Sequence, residues 1–235
     1  MYLPPVRQAI HIAGRLSIIL TQVSCNFTDF LDNWARSLRT VGHTRFVAIA
    51  EDNFSLTHLH QRYPGHGCLS PYASLRRAAP LCRYSTGVYA DVVIERGFYL
   101  AHYLEQGYDV LYSDIDIVFF RDPLPLLALS DAVLTAASDQ DAHGEPCACT
   151  GFLYVRADTP LQRKWATRFC HQWSASLKQR RGWNQPRFNE LIQPWLRQNC
   201  TAQRLPIDPR SSRNTHHLCA GIATRHAAPP SPSSA

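Results

Sequence analysis

The stretch Gly107 to Pro125, GYDVLYSDIDIVFFRDPLP, joins an apolar run to two aspartates one residue apart and then to a proline-broken exit. Val110, Leu111 and Tyr112 are strand-forming types bounded by Gly107 and Asp109, which predicts a short buried strand. The carboxylates begin where that strand should end. Because side chains alternate across a strand, Asp114 and Asp116 are expected on one face, with Ile115 and Ile117 on the other. Two carboxylates aimed at one point make a hard-oxygen site for Mg²⁺ or Mn²⁺. Apolar residues from Ile117 to Phe120 follow, so the pair does not sit on an open polar loop. Two acids this close in a half-buried place repel unless a cation separates their charges.

Outward from that stretch, strand and helix patterns alternate. Leu16 to Thr21 is a short apolar run and reads as a buried strand. Phe27, Phe30, Leu31, Trp34, Leu38 and Val41 then mark one face of a helix, with Gly42 just past its end. A strand from Phe46 to Ala50 runs into Glu51 and Asp52. Ligands of open α/β sheets gather beyond the carboxyl ends of strands, so Asp52 is a candidate contact to a nucleotide base or ribose. The span from Leu69 to Thr86 is irregular and reads as a loop over the sheet. Val93, Gly97, Leu100 and Leu104 form the stripe of a helix ending at Gly107, and Arg96, off that stripe, is a candidate diphosphate contact.

Beyond the central stretch, Ala132 to Ala137 and Gly151 to Val155 read as further strands. Asp158 or Thr159 caps a helix with Pro160 in its first turn, and Leu161, Trp165, Phe169 and Trp173 are its expected core face. Trp183, Asn184, Gln185 and Pro186 open a last helix carrying Phe188, Leu191, Ile192 and Trp195. The alternation implies a three-layer α/β/α sandwich with a mostly parallel central sheet, in one domain over residues 1–226 and a Pro/Ser/Ala tail over 227–235.

The 235 residues carry 24 Lys and Arg against 18 Asp and Glu, a net charge of +6 that is spread along the chain. That suits an anionic substrate. Without a basic block or basic-aromatic interleaving, it does not suit a nucleic acid. Eight cysteines with no paired C-x-x-C spacing, together with sequons at Asn26, Asn53 and Asn199, fit disulfides in an oxidising lumen. His58, His60, His66 and Cys68 lack a recognised zinc spacing. The apolar run from Ala9 to Leu20 is too short for a membrane span and carries His11 and Arg15, so a membrane anchor is expected outside this chain.

Four stretches taken in order resemble the nucleotide-diphospho-sugar transferases of glycosyltransferase family 77, found in plants and algae. They are FTDFLDNWARSLRTVG, the central GYDVLYSDIDIVFFRDPLP, TGFLYVRADTP and WNQPRFNELI. The resemblance implies a Rossmann-like GT-A fold and transfer, with retention, from a UDP-linked pentose or hexose to a glycan or glycoprotein acceptor in the Golgi lumen. It implies Mn²⁺ (or Mg²⁺) held by Asp114 and Asp116, with His216 or His217 as a third ligand. Asp116, Gln185 and Asn184 fall on catalytic positions, and Asp139, Gly151, Gln185 and Asn189 on sugar or acceptor contacts. Two departures stand out: Cys149 replaces an asparagine, and Asn184 replaces an acid that an amide cannot mimic as a base. Two other functions fit the same residues. One is a lumenal domain that binds a nucleotide sugar or a partner without turnover. The other is a haloacid-dehalogenase-type phosphatase with Asp114 as nucleophile.

Overall fold

The computed structural model describes residues 8–12, 14–73, 92–140, 146–180, 183–199, 203–204 and 218–222. Its strands are β1 (Ile10–Ile12), β2 (Arg15–Val23), β3 (Val47–Ala50), β4 (Gly67–Leu69), β5 (Asp109–Ser113), β6 (Leu134–Gln140), β7 (Pro146–Val155), β8 (Gln203–Arg204) and β9 (Leu218–Ile222). The helices are α1 (Thr28–Thr40), α2 (Asn53–Arg62), α3 (Arg96–Glu105), α4 (Leu124–Ala128), α5 (Pro160–Gln179) and α6 (Asn184–Asn199).

One sheet runs in the order β4-β3-β2-β5-β7-β6-β9-β8, with β1 as an antiparallel hairpin partner of β2. The block β4-β3-β2-β5 is parallel, as strand–helix alternation requires, and the sheet continues through the antiparallel strands β7, β6, β9 and β8. β2 is buried on both faces from Ser17 to Val23, the condition that lets its apolar run continue without alternation.

Two apolar layers flank the sheet. On one side α1 packs through Leu31, Trp34 and Leu38, and Leu59 of α2 joins the same cluster. On the other, Tyr99, Tyr103 and Leu104 of α3 meet Phe169 and Trp173 of α5 and Phe188 and Ile192 of α6. Leu161 is the exception to the expected core face of α5. It lies in the helix's first turn and is exposed. Thr159 and Gln162 close that end as a reciprocal capping box.

Two turns are glycines with positive φ. Gly42 (+95°) stands beyond α1 and Gly107 (+87°) beyond α3, as the sequence required. Gly107 hands the chain to β5, and the polypeptide leaves that strand at Asp114. Because β2, β3 and β5 are parallel, their carboxyl ends lie along one edge. Cys25, Asp52 and Asp114 therefore come to the same rim of the sheet.

Candidate active site

Asp114 is the first residue past β5, and its backbone N–H donates to the Gly151 carbonyl at 2.7 Å, continuing the β5–β7 ladder by one bond. The chain then turns. Ile117 N–H reaches back to the Asp114 carbonyl at 3.3 Å, closing a turn through Ile115 and Asp116. Strand alternation therefore stops at Asp114, and the expectation that both aspartates project from one strand face is corrected: a turn, not a pleat, brings Asp116 beside Asp114. Asp116 is exposed, and its carboxyl is held above the ordinary carboxylate range by desolvation and by the Asp114 charge, with Arg96 opposing.

The two oxygens of Asp114 differ. Oδ1 accepts from Arg96 Nη2 at 2.7 Å and from the Tyr112 hydroxyl at 2.8 Å. Among the described residues no donor reaches Oδ2, which lies over Gly151 where a Cβ would stand only 2.6 Å away. Gly151 is thus the recess in which the second oxygen rests.

Arg96 does not reach outward toward a diphosphate. It is 4% exposed, and its guanidinium bonds Asp114, the Thr150 carbonyl (3.0 Å) and Gln22 Oε1 (3.3 Å) and lies over the Tyr112 ring. The helical stripe misled here because α3 is buried on more than its apolar face. A charged residue joins the interior when a carboxylate and carbonyls answer all its donors. Deeper in, Gln22 Nε2 donates to Glu51, and the Tyr99 hydroxyl, the Glu95 carboxylate and Ser70 complete a buried polar chain.

Asp52 is engaged within the protein as well. Its carboxylate accepts from Ser55 N and Cys25 N, both at 2.8 Å, so it caps α2 and ties that helix to the residues after β2. This accounts for the acid without a nucleotide.

Across the strand end from Asp114, the first turn of α6 presents Gln185. Its Nε2 donates to Asp139 Oδ2 at 3.0 Å, and Thr150 N–H approaches its Oε1 at 3.4 Å. Gln185 and Arg96 therefore grip the two sides of the Thr150 peptide, one at its N–H and one at its C=O. Asn189, one turn on, bonds both Ala148 N (2.8 Å) and Ala148 O (2.9 Å), the pattern a neighbouring strand would make. Its amide bonds backbone on both sides and braces β7. Asn184 is 5% exposed, with its Nδ2 buried and unpartnered. Burial, more than the flanking Asp114 and Asp139 charges, pushes the Cys149 thiol up, so it stands in the site as a neutral group. β7 bulges here. β7 runs from Cys149 to Leu153 while β6 advances by the single step from Ala137 to Ala136, which frees Thr150 and Gly151 to face Arg96, Gln185 and Asp114.

A family model for nucleotide-diphospho-sugar transferases matches residues 41–218. The chain belongs to that family. Among curated relatives, the UDP-D-xylose:L-fucose alpha-1,3-D-xylosyltransferase of Arabidopsis thaliana is 31% identical over 199 residues, covering 76% of this chain and 53% of that protein. A beta-arabinofuranosyltransferase of the same plant is 29% identical over 154 residues, 61% of this chain and 28% of the relative. The chain spans about half the length of the xylosyltransferases it matches. Among solved structures, the galactosyltransferase LgtC in complex with donor and acceptor sugar analogs aligns with TM-score 0.44 and 16% identity over 74% of this chain and 69% of that one. Membership of this transferase family displaces the phosphatase alternative.

The implied divalent ion can be weighed against the residues present. Asp114 Oδ2, which no donor among the described residues reaches, and Asp116, destabilised as a carboxylate by desolvation and by the Asp114 charge, are two hard oxygens that a cation would satisfy. No third His, Cys, Asp or Glu joins them among the described residues, so diphosphate and water oxygens would have to complete the shell. His216 and His217 lie outside the described residues. Cys25 is disulfide-bonded.

Proposed function

We propose that the chain is the catalytic unit of a nucleotide-sugar glycosyltransferase that uses a UDP-linked pentose or hexose and Mn²⁺ or Mg²⁺. One observation carries this reading: a carboxylate at the end of a parallel strand has one oxygen pinned and the other left open, with a second carboxylate in the next turn. The names of the plant relatives support a UDP-pentose donor and a glycan or glycoprotein acceptor.

In this reading Asp114 Oδ2 and Asp116 hold the cation, and the donor lies along the carboxyl rim of β2, β3 and β5, where ligands of open α/β sheets bind. The bound cation supplies positive charge where the diphosphate gains negative charge as the glycosidic bond breaks. Gln185, oriented by Asp139 and by the Thr150 N–H, presents its amide to the sugar beside the cleaving bond. Asn184 and Cys149, both uncharged, offer no base, so an oxygen of the departing diphosphate is the group left to take the acceptor hydroxyl's proton as the new glycosidic bond forms and the sugar–phosphate bond breaks. The Cys25 disulfide supports a lumenal, Golgi-type setting.

The test is release of free sugar from a panel of UDP-sugars, with and without Mn²⁺, on the wild-type chain and on Asp116→Ala. Loss of release on removing either the metal or the carboxylate is expected. Release that survives both removals overturns the assignment. Tight UDP binding with no release from any donor favours the binding-domain alternative, which the buried, acid-lacking Asn184 would then explain.

A further inference from the structure

We propose that Tyr112, beside Arg96, is a positioning latch for Asp114 that decides which carboxylate oxygen the metal meets. The inference rests on the metal-dependent reading above and deepens it. Tyr112 and Asp114 lie two residues apart at the end of β5, so they share a face, and the phenol is placed directly beneath the carboxylate. The hydroxyl stands 2.8 Å from Asp114 Oδ1 and 3.1 Å from Gln22 Oε1. It has one proton. Gln22 Oε1 already accepts from Arg96 Nε, and Gln22 Nε2 is held by Glu51 at 2.8 Å and by the Val92 carbonyl at 3.2 Å. The amide therefore cannot rotate without losing bonds at both ends, and the phenolic proton goes to the anionic oxygen, which is the nearer and stronger acceptor.

The consequence is geometric. Oδ1 is closed off by two donors, Arg96 and Tyr112, on adjoining sides. A carboxylate rotates about its last bond through a broad, shallow well, so without such contacts the two oxygens interchange. With them, Oδ2 alone faces the recess above Gly151. The arrangement presents one oxygen in one direction, and a bidentate grip by Asp114 is excluded while the latch is closed. Tyr112 touches neither the donor nor the ion in this scheme; it acts through Asp114.

Tyr112→Phe removes the hydroxyl and leaves the ring, including its stacking under Arg96. A matched control exists at the opposite end of the same strand, where the Tyr154 hydroxyl donates to the buried Asp109 at 2.9 Å. Mn²⁺ binding to the wild-type chain, Tyr112→Phe and Tyr154→Phe is measured calorimetrically in the presence of UDP, with thermal unfolding recorded for each. A hydrogen bond to a charged group supports a fall in Mn²⁺ affinity of about tenfold for Tyr112→Phe. Tyr154→Phe should lose comparable thermal stability and keep wild-type affinity. Unchanged Mn²⁺ affinity in Tyr112→Phe, or an equal loss in Tyr154→Phe, overturns the latch while leaving the metal reading intact. No Mn²⁺ binding in the wild-type chain removes the metal reading and the latch with it.

Discussion

A methyl group built on Gly151 would lie 2.6 Å from Asp114 Oδ2 and 3.3 Å from its carboxyl carbon. The strand cannot move away, because Gly151 O accepts from Asp114 N and the adjoining Thr150 peptide is gripped by Arg96 and Gln185. The carboxylate must therefore swing out. Gly151→Ala should lower kcat/KM for UDP-sugar hydrolysis by about a hundredfold, the scale of an ångström-size misplacement of a reacting group. Steady-state rates at saturating Mn²⁺ check this, and a near-wild-type rate would show that Asp114 tolerates a second position. At this scale the sequence was legible where a motif carries its own geometry. Asp114, Asp116, Gly151, Gln185 and Asp139 were all named, and the structure sets Asp114 over Gly151 and bonds Gln185 to Asp139. It was not legible where a side chain serves another side chain. Tyr112 read as a strand former, although its place two residues before Asp114 was the available signal. Asn189 read as a ligand contact because nothing in a linear pattern shows an amide standing in for a strand.

At the scale of elements, α3 carries Arg96 to the site and α5 holds α3 in place. Their contact has no room at Gly97, where a Cβ would meet the Cys170 carbonyl and Ser174 Oγ, each at 2.4 Å. One of those atoms is backbone, so Gly97→Ala must part the helices. Overpacking of this kind costs about 1–3 kcal/mol, read as a lower Tm, and the shift should loosen Arg96 from Asp114 and raise the Mn²⁺ requirement too. A lowered Tm with an unchanged Mn²⁺ requirement would mean that Arg96 follows the sheet instead of its helix. The start of α2 gives a second test. Asp52→Ala removes the acceptor for Ser55 N and Cys25 N and should cost about 1 kcal/mol of stability, with UDP affinity unchanged. Calorimetry showing the reverse, weaker UDP binding at unaltered Tm, would return Asp52 to the nucleotide. The helix stripes and glycine stops predicted α1, α3, α5 and α6 to within a few residues, since periodicity and positive φ are local properties, whereas α2 and α4 were not read as helices. They did not predict β1, β4, β8 or β9, which are short and gain their pairing only from partners distant in the chain.

Over the whole molecule, titratable side chains tie neighbouring elements together away from the site, and they set how the fold responds to acid. Asp32 on α1 accepts from His58 of α2 at 2.9 Å and from the Tyr63 hydroxyl at 2.8 Å. Burial pushes its carboxyl up, but those two bonds and the nearby positive charge outweigh it and hold the pKa below the ordinary value. His66 and His102 are held below theirs by burial. In each case the unfolded chain takes up protons more readily than the folded one, so stability rises with pH across the interval between folded and unfolded pKa values. The histidine part is present above about pH 6.5 and is lost as pH falls below it, and the Asp32 part follows below about pH 4. Unfolding free energy measured against pH should therefore decline on acidification through both windows. Asp32→Asn should flatten the lower one and leave the upper one unchanged. A slope below pH 4 that survives in Asp32→Asn would place the acid-sensitive group elsewhere.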